Sequence, residues 1–125
     1  MRFMMKTAFA LVALAATPVQ AQEATGTWLR ENGESRVRFS KCGGDALCGT
    51  VVWLKDPATS KSKVGQRVFY DMKPNGSGAW AGSAFNPEDG KTYSGKMTLS
   101  GNRLTTAGCV LGGMICKSVG WSRVN

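Results

Sequence analysis

Seven turn-forming stretches divide residues 26–125 into eight pieces of strand length, and no piece leaves room for a long helix. Asn32-Gly33 in ENGE is a strong two-residue hairpin signal. CGGDAL, DPATSKSKVG, KPNGSG, NPEDG, SGNR and VLGGM follow it along the chain. Between turns, several pieces alternate with period two, as half-buried strands do. In TYSGKMTL, Tyr93, Gly95, Met97 and Leu99 share one face, and Thr92, Ser94, Lys96 and Thr98 the other. In SRVRFSK, Val37 and Phe39 oppose Arg36, Arg38 and Ser40. LCGTVVWL is apolar on both faces, so its alternation sets no direction. Eight strands joined mostly by short turns form an antiparallel meander, and a sheet of that length leaves two edges bare unless it closes. The expected fold is therefore all-β, an eight-stranded antiparallel up-and-down barrel.

Closure requires the first and last strands to be neighbours. The first reads GTWLR and the last GWSRV. A glycine, any residue and a tryptophan on the first strand, with an arginine on the last, resembles the lipocalin and calycin pattern. That resemblance implies that Trp28 seals one barrel end and Arg123 packs across it, a cation–π contact of roughly 0.5–2 kcal/mol.

The chain opens MRFMMKTAFALVALAATPVQAQ. Arg2 and Lys6, the short apolar run at 8–16 and the small residues around Val19-Gln20-Ala21 have the order of a secretory signal peptide. Residues 1–21 are expected to be removed, leaving 22–125 as one β-barrel domain in the periplasm or outside the cell. No later stretch is long enough to span a bilayer, so an integral membrane protein is not expected. Setting aside Arg2 and Lys6 lowers the formal net charge from +8 to +6. The basic residues are scattered, as on a solvated surface, and an exported protein is a poor candidate for nucleic acid.

Four cysteines suit an oxidising compartment, and they permit three pairings. Cys42 and Cys48 bracket GGDAL, and Cys109 and Cys116 bracket VLGGMI, so chain geometry favours the two local disulfides, each directly across a hairpin. A four-thiolate zinc site would use closer spacing. The chain has no histidine, which removes the commonest general base and transition-metal ligand. The glycine-rich stretches lack the lysine and following helix of a phosphate loop. In FNPEDGKTYSG, Pro87, Glu88, Asp89 and Gly90 each have a task in a tight turn. Adjacent carboxylates at a turn tip do not flank a substrate as hydrolytic pairs do. No catalytic residue, metal or cofactor is expected.

Taken together, GTWLRENGESRVRFSKC, LCGTVVWLKDP, WAGSAFNPEDGKTYSGKMTL and GCVLGGMICKSVGWSRV resemble one bacterial envelope family, domain-of-unknown-function family 2147. The resemblance implies a lipocalin-like barrel exported to the periplasm, with no established activity. The link after Leu54 departs from the family: many relatives have a longer stretch with Asn-Pro and Arg-Pro, where this chain has DPATSKSKVG. An eight-stranded barrel is either filled by side chains or holds one small ligand. Short strands would leave a small interior partly plugged by Phe39, Trp53, Tyr93 and Met97, which become the candidate ligand-binding residues. The expected function is non-enzymatic binding of a small apolar or amphipathic molecule. The alternative is a solid barrel that meets an envelope protein, in the manner of an inhibitor, through loops at 56–65, 74–78 and 110–114.

Overall fold

The computed structural model describes residues 24–125; the signal segment expected at 1–21 lies outside the described residues. Eight strands follow in chain order: β1 (Gly26–Arg30), β2 (Ser35–Gly43), β3 (Ala46–Leu54), β4 (Arg67–Pro74), β5 (Ala79–Asn86), β6 (Lys91–Ser100), β7 (Arg103–Val110) and β8 (Ile115–Arg123). Each pairs antiparallel with its neighbours in sequence, and β1 also pairs with β8, so the sheet closes into a barrel without edges. This is the architecture that the turn spacing predicts. The strands after β1 run to 8–10 residues, longer than the sequence pieces suggest. Hairpins zip into stretches that read as loop: Gly43 pairs with Ala46, which leaves only Gly44 and Asp45 at the tip.

An up-and-down order sends alternate connections to opposite ends. The β2–β3, β4–β5 and β6–β7 turns share one end with residues 24–26 and 123–125. There Trp28 is fully buried and lies opposite Arg123 in the β1–β8 ladder. The Arg123 guanidinium sits 4.4 Å over the Trp28 ring. It also donates from Nε to Asn102 Oδ1 at 3.1 Å and from one terminal nitrogen to the Thr25 carbonyl at 3.4 Å. Trp28 Nε1 donates to the Ala24 carbonyl at 2.9 Å. The ring is thus enclosed with its polar atom satisfied, and this end is sealed.

Above Trp28 the interior is packed with Phe39, Met72, Trp80, Met97 and Leu104. Gly49 faces inward among them. A Cβ there would lie 2.8 Å from Phe39, 2.9 Å from Phe69 and 3.0 Å from Val37, so the side chains converge on a position that must stay bare. The cysteines form Cys42–Cys48 and Cys109–Cys116. Cys109 and Cys116 are direct cross-strand partners. Cys42 is not opposite Cys48, as the sequence suggested; Ser40 is, and a register shift between Lys41 and Gly43 swings Cys42 across to its partner.

Candidate functional site

The other end of the barrel is open. Between the β1–β2, β3–β4 and β5–β6 connections and the β7–β8 hairpin lies a cavity of about 390 Å3. Its floor is Val37, Phe69 and Trp121, and its walls are Val51, Val68, Phe85, Ala107 and Val119. Phe69 meets Phe39 of the packed half at 5.2 Å between ring centroids and Trp121 edge-on at 6.2 Å. These rings form an aromatic layer that divides the packed half from the hollow one. Trp121 Nε1 donates to Thr106 Oγ1 at 2.9 Å, so the polar atoms of the floor satisfy each other and present an apolar surface upward. A register shift between Gly49 and Thr50 allows consecutive residues of β4, Val68 and Phe69, both to be buried.

The rim is polar. Arg30, Ser35, Glu88, Asp89, Tyr93 and Lys117 line the same cavity. A second hollow of about 250 Å3 adjoins it beneath the β3–β4 connection; it shares Arg30, Ser35, Ser62 and Glu88 and adds Lys55, Asp56, Thr59 and Ser60. The pair therefore offers a greasy interior and a hydrogen-bonding vestibule carrying both signs of charge.

One side of this mouth is the β5–β6 turn. Asn86 Oδ1 accepts from the Glu88 amide at 2.9 Å, and the Gly90 amide donates to the Asn86 carbonyl at 2.8 Å. Gly90 takes the left-handed φ of 72° that the turn requires. Asp89 Oδ1 accepts from the Lys91 amide at 2.9 Å, and the Tyr93 hydroxyl donates to Asp89 Oδ2. The bond from Tyr93, followed by that from the Lys91 amide, holds the Asp89 carboxyl below its ordinary range. The same bond pushes the Tyr93 phenol upward. Asp89 is thus occupied as a structural acceptor, and the turn reading of PEDG describes its geometry.

Of the four candidate ligand residues, Tyr93 lines the cavity, half-buried. Phe39 and Met97 lie in the packed half, fully enclosed. Trp53 stands on the outer wall beside Arg36, whose guanidinium is 4.8 Å from its ring. The cause is a bulge: Arg36 pairs with Trp53 and Val37 with Val51, so Val52 is an extra residue that reverses the alternation. Trp121, Phe69 and Phe85 are the aromatic cavity residues that sequence reasoning missed. Trp121 could have been found, since Val119, Trp121 and Arg123 fall on one face of β8. The three loops proposed to act together do not share an end; 56–65 and 110–114 border the mouth, whereas 74–78 lies at the sealed end. Cys42, Cys48 and Asp71 place potential metal-binding atoms within 4.8 Å of one another, but both sulfurs belong to the disulfide.

No curated protein and no solved structure matches the chain in comparisons of sequence and fold. A family profile does, over residues 26–123, which span all eight strands. The chain belongs to the bacterial family described as "Uncharacterized protein conserved in bacteria (DUF2147)".

Proposed function

We propose that this protein binds a small apolar or amphipathic molecule non-enzymatically and is exported to the periplasm. The observation that carries the reading is the cavity of about 390 Å3 with an aromatic floor and a charged, hydroxyl-rich rim. Its size falls within the range of small-molecule sites, about 300–1,000 Å3, and its layering matches a ligand with an apolar body and a polar head. The apolar body would rest on Phe69 and Trp121, and the head would meet Arg30, Lys117, Tyr93 or the vestibule hydroxyls. Chemistry is disfavoured by the residues themselves: there is no histidine, the cysteines are bonded to each other, and Asp89 is held by Tyr93. Inhibitor-type action through a solid barrel fits less well, because half of this barrel is hollow. Export is supported by the order of charges and apolar residues in 1–21 and by the two disulfides.

Native mass spectrometry of protein incubated with total envelope lipid tests the binding. A bound species of a few hundred daltons is expected (a mass suited to a cavity of this size), and it should vanish in Val119→Trp, which fills the cavity. A wild-type protein that always emerges ligand-free would contradict the reading. Sequencing the amino terminus of periplasmic protein tests export, with Gln22 expected first.

A further inference from the structure

The β7–β8 hairpin holds an apolar tip in water. Val110, Leu111, Met114 and Ile115 are 40%, 68%, 85% and 58% exposed, and Gly112 and Gly113 between them add no polar side chain. Contiguous exposed apolar patches are uncommon on soluble monomers and, where large, mark protein or membrane interaction sites. The tip is also firmly built. The Cys109–Cys116 disulfide clamps its base, and the Met114 amide donates to the Leu111 carbonyl at 3.2 Å. Leu111 itself has a φ of 55°, in the left-handed region that residues other than glycine seldom adopt. A disfavoured backbone conformation is thus maintained at the residue that offers its side chain to solvent.

Shape and charge indicate what covers it. A stable protein interface buries about 800 Å2 on each partner, far more than one narrow hairpin tip presents. A bilayer demands no such area and no matched shape; a few apolar side chains in the acyl region and basic groups at the phosphate level suffice. Lys96 lies against the tip, with Nζ 3.5 Å from the position a Cβ would take on Gly113. Lys117 follows the clamp directly. Glu88 and Asp89 stand on the β5–β6 turn at the same end of the barrel, where an anionic surface would repel them. Gly108 and Lys117 pair just below the disulfide and both line the cavity, so a bilayer at the tip would lie beside the cavity mouth.

The geometry points to the β7–β8 tip as a membrane-docking element that inserts Val110, Leu111, Met114 and Ile115 into an anionic bilayer, with Lys96 and Lys117 on lipid phosphates. This inference does not depend on ligand binding, since the four apolar side chains and Lys96 lie outside the cavity and only Lys117 is shared with its rim. Flotation of the purified protein with vesicles of equimolar phosphatidylethanolamine and phosphatidylglycerol tests it. The wild type should float, and the double variant Leu111→Ser, Met114→Ser should lose about tenfold or more in vesicle affinity. Lys96→Gln should lose roughly fivefold, an effect that disappears on uncharged phosphatidylcholine vesicles. Val52→Ser, on the outer wall, should float like the wild type. As a second reading of depth, Leu111→Trp should add a tryptophan emission that shifts to the blue when vesicles are added. Absence of flotation, equal flotation of the double variant, or no blue shift would overturn the proposal. So would a wild-type dimer in solution that the double variant abolishes, because the tip would then be covered by a second copy.

Discussion

Trp28 stays dry at a barrel end because Arg123 covers its ring while Asn102 and the Thr25 carbonyl hold the guanidinium in place. Replacing Arg123 by alanine removes the cation–π contact and opens the ring to water. Urea unfolding should report a loss of roughly 0.5–2 kcal/mol with the fold retained. At the opposite end, Tyr93 and Asp89 form a pair with a pH signature. Asp89 is held below its ordinary range, so its contribution to stability is present above that range and lost as pH falls through the lowered value. Tyr93 is pushed up, so its contribution is present below the ordinary phenol range and lost as pH rises through the raised value. In Tyr93→Phe the stability curve should therefore flatten at both limbs relative to the wild type; unchanged limbs in thermal melts across pH would refute the coupling. At this scale the sequence was readable wherever a residue's task is local. The PEDG turn is such a position, whereas Trp28 and Arg123, far apart in the chain, were readable only through the lipocalin-like pattern at the two ends of the barrel domain. Trp53 was not, because its direction depends on the extra residue Val52, which becomes visible only once β2 and β3 are paired.

The elements repeat that contrast. Strand identity follows from turn chemistry and period-two alternation, and all eight strands lie where those signals put them. Their lengths do not follow, because the zipping of a hairpin into its loop is decided by pairing energy rather than by residue type. Direction was unreadable in β3 for the same reason: a strand apolar on both faces needs its partner to choose between them. Two consequences can be measured. Gly49→Ala would force a methyl group against Phe39, Phe69 and Val37 and should cost about 1–3 kcal/mol by urea unfolding. Removing the Cys109–Cys116 bridge by a double serine substitution releases a short loop and should cost about 2 kcal/mol. The tip of this hairpin should then become the earliest region to exchange amide hydrogens, whereas the Cys42–Cys48 hairpin should keep its protection.

For the whole molecule, the division between a packed half and a hollow half is the feature that composition could not reveal. Four tryptophans equally suit a filled barrel and a lined one. Their placement separates the cases: Trp28 and Trp80 fill the sealed half, Trp121 floors the cavity and Trp53 lies outside. Each therefore reports a different place, and 19F NMR of protein labelled with 5-fluorotryptophan resolves them in a single titration with a short-chain fatty amphiphile. The account predicts a saturable shift of the Trp121 resonance while those of Trp28, Trp80 and Trp53 stay fixed. A silent Trp121, or a shift confined to Trp53 on the outer wall, would contradict it.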